Sequence, residues 1–155
     1  MANKKVYRVL IDNGSSTNIL YVVAFDKIEI GREKLKPIRT PLISFGGECL
    51  IPLGSISCQR LFGKPPYQVT KIVNFLVVEH MSIYNVILGG LALNMFRTIT
   101  LTYHLMIEFP IVGGFLVLRA DQEESKRCYT TTLRGKMNKH ENLQIMLDPR
   151  KEKSE

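Results

Sequence analysis

Tryptophan is absent from this 155-residue chain, aromatic residues are scarce at 8%, and there are only three cysteines. The few aromatics sit among short Val, Ile and Leu runs broken by Gly and Pro, a pattern that favours strands over long helices. Cys49, Cys58 and Cys128 form no C-x-x-C pair, and an odd number would leave one thiol over in a disulfide framework, so a reducing compartment is expected. No apolar run approaches the roughly 18 residues a membrane-spanning helix needs, and the start MANKKVYRVL lacks the apolar stretch of a secretory signal. The expectation is a soluble, intracellular, cytoplasmic protein with no membrane partner. His80, His104 and His140 stand apart without metal-ligand spacing, and a calcium loop beginning at Asp12 fails because Val23 occupies the place of its closing Glu. Neither a metal nor another cofactor is expected.

Charge of one sign is concentrated at the two ends. The net +7 divides into +3 from Lys4, Lys5 and Arg8, zero from ten bases and ten acids in residues 9–125, and +4 from residues 126–155. A balanced middle argues against a nucleic-acid-binding face on the folded part, and the basic tail has little aromatic company, so nucleic acid is at most a weak partner of that tail. The sequence therefore divides into a short basic N-terminal strand at 1–8, one domain at 9–132 and a basic, disordered linker at 133–155. A single domain of this size with 45% hydrophobic residues can bury a core.

Local patterns give the expected elements. Val6 to Ile11 reads as one strand ending in the polar turn Asp12-Asn13-Gly14-Ser15-Ser16. Ile19, Leu20, Val23, Ala24 and Ile28 have near-helical spacing. Leu42–Phe45 and the segment from Cys49 onward form hairpin arms around Gly46-Gly47, and Val69–Val78 and Tyr84–Leu88 read as buried strands. Leu91–Phe96 supplies a helical turn or two, Thr98–Phe109 and Phe115–Leu118 two more strands, and Asp121 caps a helix with acids first and bases later. Beyond Thr132 no element is expected. Six or seven strands and one or two short helices make the fold class all-β.

An Asp-Asn-Gly turn by itself is ordinary hairpin chemistry. Here, however, VLIDNGSS sets an Asp directly after three apolar strand residues, a Gly-Gly hairpin follows, and YNVILGG comes later with Ile87-Leu88-Gly89. Hydrophobic-hydrophobic-Asp-x-Gly-Ser-Ser, the hairpin and Ile-Leu-Gly, in that order, resemble a retropepsin-type aspartic protease. The strings V-L-I-D-N-G-S-S-T-N-I-L, P-L-I-S-F-G-G, Y-N-V-I-L-G and D-Q-E-E-S-K-R-C-Y resemble more closely the protease region of plant gypsy-type retrotransposon polyproteins, over residues 5 to about 135.

That resemblance implies a single-lobed acid-protease barrel acting as a homodimer, with Asp12 of each copy as the catalytic residue and a peptide or polyprotein as substrate. An isolated aspartate is a feeble general base at neutral pH, whereas two carboxylates in contact share one proton, so one activates water while the other protonates the peptide carbonyl. Asn13, Gly14 and Ser15 would support the catalytic loop, the Ser15 hydroxyl by bonding the carboxylate. Phe45, Gly46 and Gly47 would belong to the flap that covers the peptide, and Ile87, Leu88 and Gly89 would pack beneath the loop. The chain departs from the family at three places: Asn13 stands where a Thr or Ser locks the two loops, Gly90 where many members carry Arg, and Ser16 where retroviral members carry the partner acid. The segment before Val6 is also shorter than the apolar strand relatives have there, which implies weak dimerisation. A second reading follows from these departures, a catalytically silent module of the same fold that dimerises or binds peptides.

Overall fold

The computed structural model describes residues 4–43, 47–64, 66–134 and 145–148. Their architecture is mostly β with three short helices. Twelve strands are β1 (Lys4–Val6), β2 (Val9–Asp12), β3 (Ile19–Tyr21), β4 (Leu42–Ile43), β5 (Cys49–Leu50), β6 (Gly54–Lys64), β7 (Tyr67–Val78), β8 (Val86–Gly89), β9 (Ile99–Leu101), β10 (Met106–Ile111), β11 (Gly114–Arg119) and β12 (Ile145–Asp148). The helices are α1 (Val22–Ile28), α2 (Gly90–Met95) and α3 (Gln122–Arg134).

Seven strands form the main sheet in the order β1-β12-β6-β7-β3-β8-β2, β9 to β11 form a second sheet, and β4 with β5 a third. Among the described residues no sheet closes into a barrel, because β1 and β2 end up at opposite edges of the main sheet rather than paired. The barrel expected from the sequence is thus not what these strands form. The long hairpin β6–β7 is paired out to Lys64 with Tyr67, and Pro66, which has no N–H, cannot donate to the ladder. Along β7 the alternation is plain from Ile72 onward: Val73, Phe75 and Val77 are fully buried while Ile72 and Asn74 are exposed.

The core joins this buried face to α1, α2 and the second sheet. Leu20, Phe25, Phe75, Val86, Leu88 and Phe109 are its best-buried large side chains, each contributing about 1.5–3 kcal/mol by leaving water. Phe96, just after α2, meets Phe109 of β10 edge to face at 6.0 Å, which ties the second sheet to the helix.

The structure differs from the sequence expectations at four places. The strand expected over Val6–Ile11 breaks at Arg8, which adopts a left-handed φ of 54°, and Asn85 holds the break: its N–H donates to Arg8 O at 2.9 Å and its Nδ2 to Tyr7 O at 2.8 Å. The helical spacing from Ile19 yields a strand first, because β3 is taken up between β7 and β8, and helix begins only at Val22. The strand expected over Thr98–Phe109 is two strands parted by a turn at Thr102–Leu105, with Leu105 at φ 49°. Finally, the stretch 133–155 is not all linker. α3 runs on to Arg134, and β12 fills the slot between β1 and β6, whose backbone groups would otherwise be unpaired along two edges. The remainder of that expected linker lies outside the described residues.

Candidate functional site

The two sequence motifs meet although 70-odd residues separate them. β2 runs parallel to β8 in the register Val9 with Val86, Leu10 with Ile87, Ile11 with Leu88 and Asp12 with Gly89. β3 pairs antiparallel with the other side of β8, so β8 lies between two strands consecutive in sequence, and the loop Asn13–Asn18 must pass over the end of β8. That passage is close. A Cβ on Gly89 would lie 2.5 Å from Thr17 O and 2.7 Å from Ser15 O, so only glycine fits. Gly90 N donates to Ser15 O at 2.7 Å, fastening the loop to the start of α2.

Asn18 provides the other fastening. It is the one buried polar side chain among the described residues. Its Oδ1 accepts the Gly89 N–H at 2.9 Å, its Nδ2 donates to Asn74 O at 3.1 Å, and its own carbonyl accepts the Leu76 N–H at 2.9 Å. One amide thereby satisfies donors and acceptors on β7 and β8 that would be costly to bury unpaired. Sequence reasoning passed over this residue; the available signal was a lone amide directly before the apolar run Ile19-Leu20-Tyr21.

Asp12 is the last residue of β2, at an edge of the main sheet, and is half-buried. Its Oδ1 accepts the Gly14 N–H at 3.0 Å, and its carbonyl accepts the Ser15 N–H at 3.3 Å, closing a turn that orients the carboxylate. Ser15 does not bond the carboxylate within the chain, contrary to the sequence expectation. Its hydroxyl donates to Thr17 O at 3.0 Å and accepts the Thr17 N–H at 3.2 Å, so its role here is to shape the loop. Gly14 has no left-handed φ, and a Cβ there would meet Asp12 Oδ1 at an ordinary 3.4 Å. Asn13 extends its Nδ2 to Thr100 Oγ1 of β9 at 2.7 Å, a partner the sequence did not suggest.

Leu88 is buried and Ile87 half-buried beside the loop, as their apolar character predicts. Of the hairpin expected around Gly46-Gly47, β4 and β5 are the paired arms, Leu42 with Leu50 and Ile43 with Cys49, in a sheet separate from that of Asp12. Gly47 has a φ of 79° and open space around it; Phe45 and Gly46 lie outside the described residues. Among the described residues no three His, Cys, Asp or Glu side chains converge on a metal-sized site, and no helix is long and apolar enough to cross a membrane. No protein-family model matches the chain, and no curated protein matches it.

Proposed function

We propose that this chain is a retropepsin-like aspartic endopeptidase of a gypsy-type retrotransposon polyprotein, hydrolysing peptide bonds between two Asp12 carboxylates of a homodimer. The observation that carries this reading is the joining of the two distant motifs: Asp12 stands in register with Gly89, and the loop after Asp12 is fastened over Gly89 and Gly90 by backbone bonds and by Asn18. Such fastening fixes a carboxylate at a sheet edge, where a second copy can bring its own to meet it. A shared proton then makes one carboxylate the base that activates water and the other the acid that protonates the carbonyl. The β4–β5 hairpin supplies a partner for an extended peptide, read through backbone bonds.

The test is turnover of an apolar peptide library by the purified chain at about pH 4–6, with and without a pepstatin-like inhibitor. Asp12→Ala is expected to abolish turnover while leaving the melting curve close to wild type. Equal turnover by the variant would remove the protease reading.

One observation favours the second reading, an inactive dimerisation or peptide-binding module: the Asn13 amide, at the position expected to lock two loops together, is engaged by Thr100 of its own chain. Sedimentation taken together with the turnover assay separates the two. A dimer that binds peptides without cleaving them supports the silent module, whereas a strict monomer at high concentration excludes any two-carboxylate centre.

A further inference from the structure

Behind the strand that carries Asp12 lies a cavity of about 250 Å³, walled by Val9, Leu10 and Ile11 of β2, by β9 and the start of β10, and roofed by Ser125 and Cys128 of α3. It is open to solvent along part of its boundary, so a small molecule can enter it without local unfolding. An apolar cavity of about 150 Å³ already accepts benzene. Among the described residues no charged side chain lines this one, in contrast to the groove on the far side of Tyr84, which Arg8, Lys27 and Glu79 share. Two lining residues, Tyr84 and Thr102, carry hydroxyls for which no hydrogen bond is made to the described residues, and the Tyr84 phenol, pushed up by burial and then by Cys128, is a donor at neutral pH as any tyrosine is.

We propose that this cavity is a binding site for an uncharged aromatic molecule of one or two rings bearing a hydrogen-bonding group. The volume sets the size, the β2 and β10 side chains supply the apolar contact, and the uncharged lining among the described residues favours a neutral ligand, since burying an ionised one there would go uncompensated. Asn13 and Thr100 both line the cavity and bond each other at 2.7 Å, so an occupant presses on the residue next to Asp12. The proposal stands apart from the protease reading, since binding is measured without any turnover.

Indole is the probe. Titrated into the full chain, it is expected to give saturable NMR shifts at the Val9, Leu10 and Ile107 methyls and at the Asn13 and Thr100 amides. At ten times its Kd it should raise Tm by about 4 °C. Ser125→Phe, which places a ring in the roof, should weaken binding at least tenfold without lowering Tm. Should that variant fail to fold, Thr102→Leu, which swaps a hydroxyl for apolar bulk, should weaken it severalfold. No saturable shift at millimolar indole, shifts centred away from these residues, or unchanged affinity in the folded variants would overturn the proposal.

Discussion

The loop after Asp12 and the hairpin of β4 and β5 are both turns between short strands, yet they are held in opposite ways. The loop is fixed from several directions: by Asn18 to two strands, by Gly90 to Ser15, and by a fit against Gly89 that leaves no room for a methyl group. The hairpin has two residues in each strand, a sheet of its own and open space around Gly47, and Ile43 of β4 and Ile51 just after β5 are 75% and 74% exposed. Local stability follows burial and bonding, so the loop belongs to the rigid end of the molecule and the hairpin to the end that opens at low cost. Under the proposed protease reading, the rigid loop would aim the carboxylate and the looser hairpin would admit the peptide.

The comparison is broken most forcefully at Gly89. Gly89→Ala drives a Cβ against Thr17 O and Ser15 O, and a loss of about 3 kcal/mol or more is expected in denaturant melts, with outright failure to fold the extreme case. A loss within about 0.5 kcal/mol would show that the loop yields easily and that the contrast is overdrawn. Next comes Asn18→Leu, which orphans the buried Gly89 N–H and should cost about 2 kcal/mol, read as a lower midpoint at unchanged slope.

Gly47→Ala sharpens the other half. Its left-handed φ of 79° penalises a Cβ by about 1–2 kcal/mol, and because nothing surrounds it the cost should stay local. Hydrogen exchange should show the Gly89 and Gly90 amides protected to near the global limit while those of Gly47 and Cys49 exchange early. The smallest effect concerns Tyr84, whose phenol is raised by burial and then by Cys128. Its contribution to stability is complete below the unfolded tyrosine pKa of about 10 and is lost as pH rises toward the higher folded value, because the unfolded chain ionises first. Tyr84→Phe should therefore flatten the alkaline limb of the stability curve and leave neutral pH alone.

The sequence made much of this legible where local rules suffice. Alternation marked β7, the apolar run Val86-Ile87-Leu88 marked β8, Gly-Gly marked the β4–β5 hairpin, and Asp121 with its following acids marked α3. It misled where neighbours overrule local preference. The spacing at Ile19–Tyr21 suits a helix, but two strands stand ready to pair with it; Arg8 sits in a strand-like run, but Asn85 holds it in a turn. The carboxylate's own partner was misread too, since Ser15 is taken by Thr17 and the Gly14 amide bonds Asp12 instead.

What the amino-acid order determined alone was the β-rich class, the core-facing residues and the two motifs as strings, because strand periodicity and turn chemistry act within a few residues. That β8 would slide between β2 and β3, that Asn18 would clip the loop above Gly89, that β12 would complete a sheet edge and that a cavity would open under α3 were decided by tertiary structure. Those features depend on which distant edges and faces meet. Backbone hydrogen bonding and packing settle that only when the whole chain is assembled.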